Sequence, residues 1–151
     1  MNYEIVNLKE KTVVGISART SNNSPEMEKV IGGLWYSFFQ GGVYENIENK
    51  TGYTAFGIYS DYEKKEEGEY TVTVACQVEK AESLAENTVT MVIPQGKYAK
   101  FIVKGNMQTA VADFWQKLWK MDLQRTFVCD FEEYMNNDPE NAEIHIYIGI
   151  K

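Results

Sequence analysis

The sequence has few of the residues that hold small proteins together through disulfides or metal ions. Its 151 residues include only two cysteines and one histidine. Cys76 and Cys129 each stand alone, without a CxxC pair or a histidine at metal-ligand spacing, which argues against a zinc or disulfide scaffold. Both are predicted to be buried free thiols of a reducing compartment, and no metal or other cofactor is expected.

Long apolar runs and an excess of positive charge are also missing. No apolar stretch approaches the ~20 residues that span a bilayer, and residues 1–5 lack the basic and apolar regions of a secretory signal. We therefore expect a cytoplasmic protein that does not bind a membrane. With 22 acidic against 15 basic residues the formal charge is −7, which argues against direct nucleic-acid binding.

Apolar and aromatic residues are plentiful, and they predict one domain over residues 1–151. A chain of this length that is 44% hydrophobic and 13% aromatic can form one substantial core. Its periodicity divides the domain into two similar halves, about residues 1–80 and 87–151. In the first half, alternating apolar residues predict strands over 12–18, 53–60 and 70–78.

A helix is predicted after the first strand, because apolar residues recur at helical spacing from Ile31 to Phe38. Ser24 can cap its free amides, Pro25 suits the first helical position, and Gly41 is expected to follow its end. The charged residues 61–68 are predicted to form a solvated hairpin loop between the two strands that follow the helix.

The second half repeats the order strand, helix, strand, strand. Its strand patterns cover 97–104, 126–135 and 143–150, and its helix runs from the capping residue Asn106 through Leu123. The apolar positions of the two helices correspond: Ile31, Leu34, Trp35, Phe38 and Phe39 align with Val111, Phe114, Trp115, Leu118 and Trp119.

This duplication predicts an α+β fold. We expect two βαββ modules around a pseudo-twofold axis, with antiparallel sheets, two main helices and a central ligand cleft where the halves meet. Residues 80–86 are predicted to connect the modules.

The repeat symmetry fails at Glu132, which aligns with Gly57 of the first half. An ionised carboxylate in a buried strand costs several kcal/mol or acquires a raised pKa, unless a partner such as a cationic ligand compensates. Side chains alternate across a strand, so Glu132 and Tyr134 share one face while Phe131 and Glu133 share the other. If Phe131 packs under a helix, Glu132 points into the cleft.

Four segments in order resemble the GyrI-like effector-binding family, whose domains also occur in AraC-type and MerR-type multidrug-responsive regulators. They are residues 1–5, 12–15, the FExY motif at 131–134 and residues 143–148. The resemblance implies an aromatic-lined cavity with Glu132 at its base, which receives cationic, lipophilic compounds. Unlike the regulators, the chain shows no additional helix-turn-helix pattern, so it is interpreted as a stand-alone ligand-binding module.

The candidate ligand-binding residues are Glu132 and six aromatic residues that could flank the cleft. The aromatic candidates are Trp35, Phe39, Tyr59, Trp119, Tyr134 and Tyr147. A cation over a ring face gains about 0.5–2 kcal/mol, depending on desolvation. Trp35 and Trp115 belong to the core stripes of their helices first and could form the cavity wall second. Phe39 and Trp119 extend the stripes and could border either a core or a cavity.

Three functions remain open from the sequence. The first is non-catalytic binding of cationic aromatic compounds, for sequestration or sensing. The second, which the resemblance implies, is hydrolysis of cyclopropane rings in DNA-alkylating natural products, with Glu132 activating water and Tyr59 or Tyr134 donating to the developing phenolate. The third is an acidic interaction module that inhibits a DNA-acting enzyme; the sequence identifies no particular protein partner.

Overall fold

The computed structural model describes residues 1–65, 67–81 and 84–151. Its eight strands are β1 (Glu4–Leu8), β2 (Lys11–Ser21), β3 (Ala55–Ser60), β4 (Glu69–Gln77), β5 (Val89–Ile93), β6 (Gly96–Gly105), β7 (Arg125–Tyr134) and β8 (Ala142–Ile150). The helices are α1 (Met27–Phe39) and α2 (Met107–Trp119), with a 3₁₀ turn at Tyr44–Asn46. Parts of the predicted loop at 61–68 and connector at 80–86, namely Glu66, Glu82 and Ser83, lie outside the described residues.

All eight strands form one antiparallel sheet in the order β1-β6-β8-β7-β3-β4-β2-β5. Exchanging the two halves of the chain reverses this order and leaves it otherwise unchanged. The pseudo-twofold axis therefore passes between β3 and β7, where Gly57 lies directly opposite Glu132. The predicted α+β duplication is confirmed, and the two modules share a single sheet.

Strands β1 and β5 were not predicted, and they link the halves. β1 pairs with β6 of the second half, while β5 pairs with β2 of the first. Each repeat is thus ββαββ, with its first strand exchanged onto the other repeat. Both strands are five residues long and mostly exposed, so they carry little of the apolar alternation that identifies a strand in sequence.

The capping residue predicted for α2 is confirmed, whereas the one predicted for α1 is not. The Asn106 side chain caps α2 by accepting hydrogen bonds from the amides of Gln108 and Thr109. The prediction of Ser24 as cap of α1 was wrong: the helix begins at Met27, and the Ser24 hydroxyl instead accepts from the Glu26 amide in the preceding turn, at 3.1 Å.

The end predicted for the second helix was also wrong. The helix ends at Trp119, four residues before Leu123, and the Met121 amide then bonds to the Leu118 carbonyl at 2.9 Å. This i to i−3 bond closes a tighter turn than an α-helix allows, so the helical hydrogen bonding stops there. Leu123 still packs against the core beneath α2.

Buried side chains form clusters on both faces of the sheet. One cluster lies between α1 and the strands β2 and β4, and a second lies between α2 and the strands β6 and β8. A third, which includes Phe56, Ile58 and Phe131, occupies the face away from the helices. The central strands β3 and β7 are consequently buried on both faces, and the helices flank them on one face.

Candidate functional site

Glu132 lies at the centre of the sheet, on the face that carries the helices. Its side chain is among the largest fully buried ones, at 1% exposure. Three donors bind its carboxylate: Tyr134 Oη donates to Oε1 at 2.7 Å, while Trp115 Nε1 and Tyr59 Oη donate to Oε2 at 2.8 and 3.1 Å. Elements β3, β7 and α2 therefore converge on one carboxyl group.

Two opposing effects act on the ionisation of Glu132. Burial raises the pKa of its carboxyl group, and the hydrogen bonds from Trp115, Tyr134 and Tyr59 lower it only in part, because they stabilise the charged form. Burial and the nearby carboxylate also raise the pKa values of Tyr59 and Tyr134 well above 10. Both tyrosines therefore remain protonated donors across the physiological range.

The walls of the site follow the pseudo-twofold symmetry of the fold. Trp35 and Tyr134 meet edge to face with ring centroids 4.8 Å apart, and their counterparts Trp115 and Tyr59 meet the same way at 5.3 Å. Edge-to-face packing of this kind contributes about 0.5–1.5 kcal/mol per pair beyond area burial. We call Glu132, Gly57 and these four aromatic residues the central site.

The structure brings most of the predicted ligand-binding residues together. Trp35, Tyr59 and Tyr134 surround Glu132, and Phe39 continues the aromatic wall by stacking on Trp35 at 6.1 Å. Phe39 and Trp119 are about half exposed, at 46% and 47%, one helical turn beyond Trp35 and Trp115.

Tyr147 is not part of the central site. It stacks on Phe131 at 4.6 Å within the cluster on the opposite face of the sheet. The premise that Phe131 packs under a helix was wrong. Phe131 faces away from both helices, so alternation along β7 turns Glu132 toward them.

The sequence assigned Trp115 to the core first and to the cavity wall second, and Trp115 was left out of the candidate ligand-binding residues. Its indole nitrogen makes the 2.8 Å bond to Glu132, so it contributes to the charge of the site as well as to its wall. The repeat alignment held the relevant signal, because Trp115 corresponds to the candidate Trp35. Helical spacing alone could not distinguish a core tryptophan from one that binds a carboxylate.

A second buried carboxylate, Asp130, precedes Glu132 by two residues on the same strand. It is 0% exposed and accepts hydrogen bonds from the Arg125 guanidinium at 2.8 Å, the Gly149 amide at 2.8 Å and the Tyr62 hydroxyl. Arg125 is itself only 8% exposed. This carboxylate already has a cationic partner within the protein, in contrast to Glu132, whose three donors are neutral.

The raised pKa of Glu132 predicts a pH-dependent stability difference from a Glu132→Gln variant. An acid whose pKa is raised by folding costs no stability below its unfolded pKa, near 4.5, and costs progressively more as pH rises through its folded pKa. A folded pKa that is higher than the unfolded pKa by one corresponds to about 1.4 kcal/mol. The free energy of unfolding of the wild type should therefore fall relative to that of the variant as pH increases.

Urea unfolding of both proteins between pH 4 and pH 8 measures this difference, because groups common to both cancel. A difference that stays constant, or that moves in favour of the wild type at high pH, would contradict the raised pKa.

Neither a metal-binding cluster nor a membrane-spanning helix occurs in the described parts of the chain. Within residues 1–65, 67–81 and 84–151, no three His, Cys, Asp or Glu side chains are grouped so as to hold a metal ion. None of the helices in those ranges is long and apolar enough to cross a bilayer.

The duplicated α+β fold is the one that the resemblance to effector-binding domains implied. The chain belongs to the Cass2 family, described as integron-associated effector binding protein, whose model matches residues 4–150. The family predicted from the sequence motifs is thereby confirmed at the level of effector-binding proteins.

Two similar proteins and one further structure of the same fold illustrate what the chain resembles. "Putative transcriptional regulator protein YobU" of Bacillus subtilis (strain 168) is 31% identical over 155 residues, covering 97% of this chain and 96% of its own. The Vibrio cholerae integron cassette protein VCH_CASS2 is 27% identical with a TM-score of 0.75, covering 97% and 95%. SAV2435, solved with tetraphenylphosphonium, shares the fold at a TM-score of 0.82 and 20% identity, covering 100% and 94%.

Proposed function

We propose that this protein binds lipophilic aromatic cations at the central site and captures them without chemical turnover, for sequestration or sensing. One observation carries the proposal: a fully buried carboxylate whose partners in the protein are all neutral. A cation that enters the site supplies the missing positive charge, which stabilises the ionised form and lowers the pKa of Glu132.

The surrounding rings support an aromatic ligand. Trp35, Trp115, Tyr59 and Tyr134 present faces and edges on both sides of the carboxylate, and Phe39 extends one wall toward solvent. Such rings accept many shapes through stacking and cation–π contacts, whereas the carboxylate discriminates by charge. We therefore expect the site to accept ligands of many shapes but to bind only those that carry a positive charge. The tetraphenylphosphonium bound by the related SAV2435 is a lipophilic aromatic cation of this kind.

Binding is favoured over hydrolysis by the same geometry. The hydrolytic alternative requires Glu132 to hold and activate a water molecule, yet protein donors already occupy three of the roughly four acceptor positions of its carboxylate. Tyr59 and Tyr134, the proposed donors to a phenolate, are directed at the carboxylate itself.

A pair of ions with one shape and opposite charge tests the proposal. Tetraphenylphosphonium and tetraphenylborate have nearly the same size and surface, so apolar burial contributes similarly to both. We expect tetraphenylphosphonium to bind at least about 100-fold more tightly, because a buried carboxylate attracts one ion and repels the other. Isothermal calorimetry and tryptophan fluorescence measure both affinities. Equal affinities, or no binding of the cation, would refute a charge-selective site.

A further inference from the structure

Gly57 occupies a special position, since it lies on the pseudo-twofold axis directly opposite Glu132. It does not belong to the glycines with positive φ, so its backbone conformation is one that any residue can adopt. A Cβ atom at this position would lie 3.2 Å from Glu132 Oε1, 3.3 Å from Trp35 Cζ2 and 3.9 Å from Tyr134 Cε1. The first two contacts are tighter than ordinary van der Waals contact, so Glu132 and Trp35 would each have to shift by a few tenths of an ångström to accept a methyl group.

A Cβ atom at position 57 would contact one carboxylate oxygen of Glu132, Oε1, most closely. Tyr134 donates to Oε1 at 2.7 Å, whereas Tyr59 and Trp115 donate to Oε2. An added methyl group at position 57 would thus press first on the oxygen that Tyr134 binds and weaken that hydrogen bond. It would also push the Trp35 ring, which forms one wall of the site, away from the carboxylate.

In this symmetric pair the one long side chain uses the space that its partner leaves open. Directly paired residues of an antiparallel sheet share a face, with Cβ atoms about 4.5–5.5 Å apart. Glu132 bends across the axis into the space above Gly57, which is how a single carboxylate reaches donors from β3, β7 and α2.

We propose that Gly57 is a positioning residue for cation recognition: its missing side chain lets the Glu132 carboxylate bond to Tyr134 while it remains bonded to Tyr59 and Trp115, and lets Trp35 close one wall. The recognition part of this inference rests on the proposed function, whereas the positioning part can be measured without a ligand.

The test is the pH titration of Glu132 in Gly57→Ala. Losing the Tyr134 bond removes a donor that stabilises the ionised form, so the titration midpoint should rise by about one pH unit. The other titratable groups facing the carboxylate are Tyr59 and Tyr134, with pKa values raised well above 10, and Tyr70, whose pKa is raised to about 12. Those tyrosines stay protonated through neutral pH, so Glu132, whose pKa burial raises above its ordinary value, is the member of this group whose titration is followed.

The first readout is carbon-13 NMR of the Glu132 carboxyl group as pH is varied without ligand; the Glu132→Gln variant assigns the signal. The second readout is the affinity for tetraphenylphosphonium measured across the same pH range. The affinity should rise with pH through the midpoint, and the midpoint should be higher in Gly57→Ala. Tyr134→Phe should produce a similar rise, and the double variant should show no additional one, since both changes remove the same bond. Gly32→Ala is the matched control, because nothing lies within 4 Å of the added Cβ.

A wild-type midpoint in Gly57→Ala would overturn the inference, and so would a loss of stability without a change in midpoint, because packing alone would then explain the glycine. If the NMR midpoint moves but the wild type binds tetraphenylphosphonium no better than tetraphenylborate, the proposed function and the recognition role fail together, and the positioning of the carboxylate stands alone.

Discussion

Replacing Glu132 with glutamine is expected to weaken tetraphenylphosphonium binding at least about 30-fold at pH 8. Removing one partner of a desolvated charge pair costs about 2–5 kcal/mol, and each 1.4 kcal/mol is a factor of ten in affinity. Glutamine keeps the size of the side chain and one carbonyl acceptor for the surrounding donors, so the shape of the site should persist. The weak affinity for tetraphenylborate should stay constant or improve. Calorimetric titration of both ions measures the change.

The stability of the same variant separates loss of function from loss of fold. Glu132 is buried at a cost in solvation, so its neutral replacement should leave the free energy of unfolding unchanged or increase it near neutral pH.

Glu133→Gln is a matched control with the same change in net charge. Its side chain lies on the opposite face of β7 and accepts a hydrogen bond from Thr54 Oγ1 at 2.9 Å. Cation affinity in this control should stay within about threefold of wild type, since the partly exposed Glu133 carboxylate lies on the other face of the sheet, where solvent screens its charge more than that of a fully buried group. Equal losses in the two variants would show that overall charge, and not the buried carboxylate, determines binding.

Asp130→Asn is expected to cause the largest loss of stability, about 3–5 kcal/mol. Arg125 is 8% exposed and its Nε atom is buried without a hydrogen-bond partner, so Asp130 supplies the charge that compensates it. Breaking a buried ion pair by neutralising one partner leaves the other charge unpaired in a low dielectric. The Tyr62 hydroxyl and Gly149 amide would also share a weaker acceptor. Urea unfolding at pH 7 measures the change.

Two further variants establish the cause of that loss. Glu63→Gln neutralises an exposed ion pair, in which Glu63 is 65% exposed and lies 3.8 Å from Arg19, and should change stability by less than about 1 kcal/mol. Adding Arg125→Met to Asp130→Asn removes the unpaired charge and should recover part of the stability. A loss in Asp130→Asn no greater than that in Glu63→Gln would disprove a structural role for the buried pair.

The periodicity of apolar residues predicted most of the helices and strands of the fold. The helical spacing of Ile31 to Phe38 and of Val111 to Trp119, and the apolar runs of β3, β4, β7 and β8, identified those elements because their buried side chains follow the period of a helix or a strand. Strands β1 and β5 could not be predicted from apolar alternation, because backbone pairing with the other half holds them in place more than side-chain burial does. The prediction for Ser24 was wrong because a serine hydroxyl can accept a hydrogen bond from a backbone amide in a turn as readily as from one at a helix start.

The amino-acid sequence by itself determined the duplicated α+β architecture and singled out Glu132, because repeated patterns and one broken correspondence can be recognised without coordinates. Only the tertiary structure decided which side of β7 meets the helices, which donors bind the carboxylate, and that Tyr147 belongs to another core. The facing of β7, the donors of Glu132 and the place of Tyr147 depend on how the two halves combine into one sheet around Gly57 and Glu132. Strands that pair across long sequence separations leave no local pattern from which this pairing could be predicted.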